Sequence, residues 1–216
     1  IYYKGVGLAY GYALQGGLSQ FNIIGDEILH GDEGCYLIPV QPETGYAQAA
    51  LTEPWACVTA SYDVFYRAGW KADGMALIAA GPAAAGVDYR MGTPYAGGQP
   101  PRCVVTMGVG GALLDELRRR AKSDGVSLIE LGAPSAESLE QAKKACNEGA
   151  FDDVVLLGAD AALYEMLEPL AGKGGVLNLV GAEGLQGAAQ VDVGRLHYDN
   201  LSLTGTADRD LSLAYE

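Results

Sequence analysis

The sequence predicts an α/β protein built on a doubly wound, parallel sheet of six strands, preceded by a small β region. From Met75 onward, short apolar runs alternate with helical segments at the interval of repeated strand–helix–strand units. The 216 residues include 31 glycines with no fixed period, which places them in turns and close backbone approaches rather than in a helical bundle. An apolar fraction of 49% is enough for a globular core.

Residues 1–50 are rich in Gly, Tyr and β-branched side chains. Strand-like pieces are expected at Leu18–Ile24 and Cys35–Pro39, separated by Gly-Asp and Gly-Gly turns. The pattern changes at Thr52, and a helix is expected over Thr52–Ala68. Thr52 is its candidate cap, Glu53 and Pro54 suit its first turn, and Trp55, Val58, Tyr62 and Phe65 share one face. The expected strands are Met75–Ala80, Cys103–Met107, Val126–Leu131, Val154–Gly158, Val176–Gly181 and Leu201–Gly205. Helices are expected at Pro82–Met91, Ala112–Lys122, Ala136–Asn147 and Ala161–Ala171. The third has Glu137 and Glu140 early and Lys143 and Lys144 late, as the helix dipole prefers. Gly92–Pro101 reads as a Pro/Gly-rich loop, and the chain between the last two strands reads as irregular.

A net charge of −13 argues against nucleic acid and anionic membrane surfaces as partners and leaves a small molecule or another protein. No run approaches the ~20 apolar residues of a membrane span, and no leader precedes the first strand-like residues. The widely spaced Cys35, Cys57, Cys103 and Cys146 read as free thiols of a reducing cytoplasm. The opening on Ile1 reads as mid-strand, so the natural protein is expected to extend upstream.

In an open sheet of this kind, ligands bind beyond the carboxyl ends of the strands. The turn after the first strand reads Ala79-Ala80-Gly81-Pro82-Ala83-Ala84, which keeps only the central glycine of the G-x-G-x-x-G phosphate turn. The second strand runs into Met107-Gly108-Val109-Gly110-Gly111, without the acid that would bind ribose hydroxyls. His30 reads as a surface residue and His197 as structural. No H-E-x-x-H, P-loop or G-x-S-x-G motif is present, so a nicotinamide enzyme leads the enzymatic options. The alternative is a non-catalytic or re-purposed scaffold with a degenerate cofactor site.

Tyr10–Asn22, Gly31-Asp32, Tyr36–Val40, Pro42–Tyr46 and Leu51–Val58 together resemble the zinc-dependent medium-chain dehydrogenase/reductase superfamily. The branch they approach most is that of sorbose 1-phosphate reductase-like and sorbitol dehydrogenase-like members. Phe151–Val154, Gly175–Asn178, His197-Tyr198 and Gly205-Thr206 agree with it. The resemblance implies residues 1–52 as the remnant of a GroES-like catalytic domain and 53–216 as a Rossmann dinucleotide-binding domain. It implies hydride transfer between NAD(P) and a secondary alcohol or ketone of a polyol, sugar or sugar phosphate, assisted by zinc.

Glu53 matches a metal-ligating position of the polyol branch, the other zinc ligands being expected upstream of Ile1. An acid favoured at a helix N-terminus explains Glu53 equally well. By the same resemblance Gly81, Pro82 and Ala83 would face the pyrophosphate. Thr106 and Met107 would lie near the adenosine ribose, and Gly158, Ala159, Val180, Gly181 and Thr206 would line the rest of the cleft. The turn at Gly81 is about one residue shorter than the Gly-Pro-Met-Gly loop usual in the family. No catalytic side chain is assigned. Pairing through the sheet edge near Leu201–Thr204 implies a homo-oligomer, a dimer or a tetramer.

Overall fold

The computed structural model describes residues 1–62, 67–95, 98–145, 149–181, 185 and 187–215. The chain forms two compact units, residues 1–64 and 65–216.

In the first unit Tyr2–Tyr3 (β1) and Val6–Gly7 (β2) pair antiparallel around Lys4 and Gly5. The Asp32 carboxylate closes this turn, accepting the N–H groups of Lys4 and Gly5 at 2.8 Å each. Three helices follow, Asp26–Leu29 (α1), Tyr46–Ala50 (α2) and Thr52–Ala60 (α3). The strand-like segments Leu18–Ile24 and Cys35–Pro39 are not strands: among the described residues no ladder forms along them, the Tyr36 N–H making a single bond to the Ile28 carbonyl at 2.9 Å, and Leu18, Phe21, Ile23 and Ile38 stand exposed. Alternating residue type does not make a strand where no partner supplies the ladder. Thr52 does not cap α3. Its hydroxyl donates back to the Gln48 carbonyl at 3.2 Å, because α2 runs almost directly into α3 through Leu51. The expected helix face of Trp55, Val58 and Tyr62 is exposed, and Phe65 lies outside the described residues.

The second unit carries the sheet: Met75–Ala80 (β3), Cys103–Met107 (β4), Ser127–Leu131 (β5), Phe151–Leu157 (β6), Ala171–Val180 (β7) and Ser202–Thr206 (β8). All pair in parallel in the order β5-β4-β3-β6-β7-β8. The chain winds outward from β3 to β5, then crosses back past β3 to β6. The expected doubly wound sheet is therefore present, with its switch point between β3 and β6.

Successive residues of the central strands bury on opposite faces, which is why these strands are apolar without alternation. Leu77, Val105 and Leu156 pack with Ala142 of Ala136–Ala145 (α5) and with Leu163, Tyr164 and Leu167 of Ala161–Leu167 (α6). Ala76, Ile78, Val104 and Val155 pack on the other face with Leu113 and Leu117 of Gly111–Asp124 (α4), and with Trp70, Met91 and Leu211. Fully burying a Leu such as Leu77, at 0% exposure, stabilises by about 2 kcal/mol.

Three further departures from the sequence reading have local causes. The expected helix Pro82–Met91 is a single 3₁₀ turn, Pro82–Ala84, followed by an extended loop that buries Tyr89 and Met91 separately in the core. Both have their own lodging on the sheet, so a helical stripe brings no further burial. The irregular region before β8 contains a helix, Val193–Tyr198 (α7), whose cap Asp192 accepts the N–H groups of Gly194 and Arg195 at 2.9 and 3.2 Å. Ala161–Ala171 divides into α6, a 3₁₀ turn at Glu168–Leu170 and the start of β7.

Among the described residues no helix is long and apolar enough to cross a membrane. Cys35, Cys57 and Cys103 are free thiols, and Cys146 lies outside the described residues.

Candidate functional site

Two cavities open beyond the carboxyl ends of the strands, on either side of the turn that follows β3. The first, of about 380 Å³, lies between Gly81–Tyr89 and the β4–α4 turn Gly108–Leu113. The second, of about 410 Å³, is walled by Pro82, Pro134, Asp160, Leu163 and Met166. Ala80, Gly81, Ala85, Ala133 and Pro134 line both, so the two are lobes of one crevice at the switch point.

Gly81 sits at the centre of this crevice for a packing reason. The turn after β3 lies directly on the turn after β6. A Cβ on Gly81 would stand 2.5 Å from the Gly158 carbonyl oxygen and 2.8 Å from Ala159 Cα. A Cβ on Gly158, whose φ is +51°, would stand 2.5 Å from Ala84 N. Glycine at both positions is thus required by the mutual approach of the two turns.

That approach also engages the amides of the glycine turn. Gly81 N–H donates to the Leu157 carbonyl at 2.8 Å, Ala83 N–H to Gly158 at 3.2 Å and Ala84 N–H to Gly81 at 3.1 Å. Pro82 has no N–H. The α4 turn is built differently. Its N-cap Gly110 supplies no side-chain acceptor, and Gly110, Gly111 and Ala112 line the 380 Å³ lobe. The start of this helix thus borders the lobe without a side-chain cap, where the helix dipole favours negative charge.

The other residues named from the sequence lie deeper. Thr106 and Met107, at 1% and 0% exposure, are enclosed by the sheet. Ala159, Val180 and Gly181 surround a space of only about 10 Å³, too small for more than one water. Gly158 and Gly181 continue the ladder, Gly158 N–H donating to Val180 and Gly181 N–H to Thr206 at 2.9 and 3.1 Å. Gly81 thus joins both lobes and Pro82 lines one, while Gly158, Ala159, Val180 and Gly181 shape the neighbouring strand ends. The half-buried Thr206 accepts the Asp208 N–H on its hydroxyl.

Sequence reasoning missed Ala85, Asp88, Ala133 and Pro134 as crevice residues. Asp88 was hidden inside an expected helix; the Gly-Ala-Pro run at 132–134 was a visible turn signal with no ligand chemistry of its own.

Glu53 lies in the first unit, in the first turn of α3. The Cys57 thiol donates to its Oε1 at 3.1 Å, and this hydrogen bond, reinforced by the carboxylate charge, pushes the thiol pKa up. Among the described residues no three His, Cys, Asp or Glu side chains come together. His30 is exposed beside Asp26 at 3.3 Å, and His197 is exposed on α7 against the Tyr198 ring.

No protein-family model matches the chain. It is 29% identical, across 94% of its length, to mannitol-1-phosphate 5-dehydrogenase of Aliivibrio fischeri, of which it covers 51%. It is 26% identical, again across 94% of its length, to the uncharacterised protein YggP of Escherichia coli K12, of which it covers 51%. The chain therefore spans about half the length of the curated relatives it matches. A crystal structure of 2R,3R-butanediol dehydrogenase from Bacillus subtilis aligns with 82% of this chain and 47% of its own, at 16% identity and a TM-score of 0.39.

Proposed function

We propose that this chain belongs to an oxidoreductase that transfers a hydride between NAD(P) and a secondary alcohol or ketone of a polyol, sugar or sugar phosphate. The observation that carries the reading is the similarity, along 94% of the chain, to a dehydrogenase of a polyol phosphate. The crevice at the switch point of the sheet supports it, because open α/β sheets bind nucleotides there.

In this reading the second unit is the Rossmann dinucleotide-binding part of a medium-chain dehydrogenase/reductase, residues 1–52 being the remnant of its GroES-like catalytic domain. The crevice fits a dinucleotide in outline: two lobes meet at Gly81, and a helix start without a side-chain cap borders one of them. Gly81, Pro82 and Ala85 would support the cofactor from below, with Pro134, Leu163 and Met166 as an apolar wall for a ring. Thr106, Met107, Gly158, Ala159, Val180, Gly181 and Thr206 would hold the strand ends in shape beneath it. When bound, the nicotinamide supplies the hydride acceptor or donor.

Zinc assistance is a separate matter. A catalytic zinc ion takes three protein ligands, and the described residues bring only Glu53 with the Cys57 thiol beside it. The described residues of this chain do not fit a zinc ion by themselves. We also infer a cytoplasmic homo-oligomer associating along the β8 edge, to be checked by light scattering.

The test is titration of the full protein with NADH and NADPH, followed by nicotinamide fluorescence and thermal stability, with polyol phosphates then offered as substrates. Cofactor at about 100 times its Kd should stabilise by about 2.7 kcal/mol. Absence of any response at millimolar cofactor would sink the reading. One observation favours the second reading, a re-purposed scaffold: the amides of Gly81, Ala83 and Ala84 already have acceptors within the protein. That reading expects no cofactor response and a partner or ligand of another kind.

A further inference from the structure

We propose that Asp88 is the carboxylate that receives the ribose hydroxyls of the dinucleotide, and that it selects the cofactor lacking a 2′-phosphate. The inference rests on the oxidoreductase reading above and names the cofactor preference of the same crevice.

The end of β4, where such an acid is expected, offers only the enclosed Met107 and then Gly108. Across the same 380 Å³ lobe lies the loop that replaces the expected helix Pro82–Met91, and it brings Asp88 to the lining. Among the described lining residues Asp88 is the sole acid, and no Lys, Arg or His is present to meet a phosphate. Its carboxylate is exposed, and no described residue donates a hydrogen bond to it or pairs with it.

The position of Asp88 is nevertheless fixed. Tyr89 beside it is buried in the core at 5% exposure. The Arg90 N–H donates to the Arg209 carbonyl at 2.8 Å, and the Leu211 N–H donates to the Arg90 carbonyl at 2.9 Å. An unpartnered acid held at a cavity lined largely by small residues suits a vicinal diol, whose two O–H groups donate to it. A 2′-phosphate in the same place would meet like charge on a molecule of net charge −13.

The experiment measures Kd for NADH and NADPH, with 5′-AMP and 2′,5′-ADP as competing half-molecules, on the full protein and on Asp88→Asn. Thermal stability is recorded for both proteins, and no change is expected because Asp88 has no partner to lose. NADH should bind at least about tenfold more tightly than NADPH, and Asp88→Asn should remove most of that ratio, the size of one charge-assisted hydrogen bond. An unchanged ratio in the variant, or a wild-type preference for NADPH, overturns the assignment of Asp88 and leaves the oxidoreductase reading standing. Binding of neither cofactor to the wild type overturns both.

Discussion

Gly158 shows how a single residue sets the site. Its positive φ and the 2.5 Å approach of a Cβ to Ala84 N leave no room for a side chain. Gly158→Ala should therefore force the β6 turn off the Gly81 turn and destabilise by roughly 2–4 kcal/mol in denaturant unfolding. A loss under about 0.5 kcal/mol, typical of an unconstrained surface site, would mean that the two turns do not need each other. Neighbouring Asp152 and Asp153 respond to pH in opposite senses. Burial acts to raise Asp152, but the Lys71 ammonium at 2.6 Å, the Met75 N–H at 2.9 Å and Arg67 outweigh it and hold the carboxyl below its ordinary 3.8. Its contribution to stability is complete above that value and is lost as pH falls through the lower folded value. For Asp153, at 1% exposure, burial wins over Arg67, the Lys71 N–H and the Tyr215 hydroxyl, and the carboxyl is raised. Its protonated form favours folding, a contribution that is lost as pH rises through the folded value. Asp152→Asn should accordingly flatten the decline of Tm on the acid side of pH 3.8, measured by calorimetry. An acid limb as steep as that of the wild type would mean that Asp152 does not contribute to acid stability.

At the scale of the element, α4 is the helix that the sequence displays best. Leu113 and Leu117 are buried on one face, Glu116 and Arg120 pair at 2.8 Å on another, and Gly125 ends the helix in the left-handed conformation. Its beginning is what the sequence conceals, because Gly110 and Gly111 read as loop while they line the lobe beside Asp88 without a side-chain cap. Gly110 has an extended backbone, and no atom crowds the position that a Cβ would take, so a side chain is accommodated there. Gly110→Asp should cap α4 and add a few tenths of a kcal/mol to stability. The same carboxylate would engage the amides at the start of α4, so dinucleotide affinity should fall while Tm rises. If affinity and stability rise together, the α4 amides have no part in binding. The helix expected over Pro82–Met91 fails for the converse reason. Its apolar residues are lodged singly in the sheet face, Tyr89 and Met91 at 5% and 1% exposure, and local propensity yields to that burial.

At the scale of the whole molecule the two units differ in how much they bury. Among the described residues of the first unit only Ile28 is buried, whereas the second encloses apolar residues on both faces of its sheet. Amide exchange should therefore be fast through most of residues 1–62 and slow in β3, β4 and β6. Equal protection in the two units would show that the first has burial partners beyond its own residues. The sequence by itself determined the six parallel strands and their order of appearance, since runs such as Met75–Ala80 and Cys103–Met107 are apolar on both faces only in a covered sheet. It also determined at which end of the sheet a ligand is received, because open parallel sheets bind beyond the carboxyl ends of their strands, while the reversal between β3 and β6 came with the strand order. Only the tertiary structure decided which groups face the crevice. The mutual contact of Gly81 and Gly158 engages the amides of the glycine turn, and the lodging of Tyr89 in the core turns an expected helix into the loop that carries Asp88. Both depend on contacts between residues distant in the chain, for which local periodicity holds no signal.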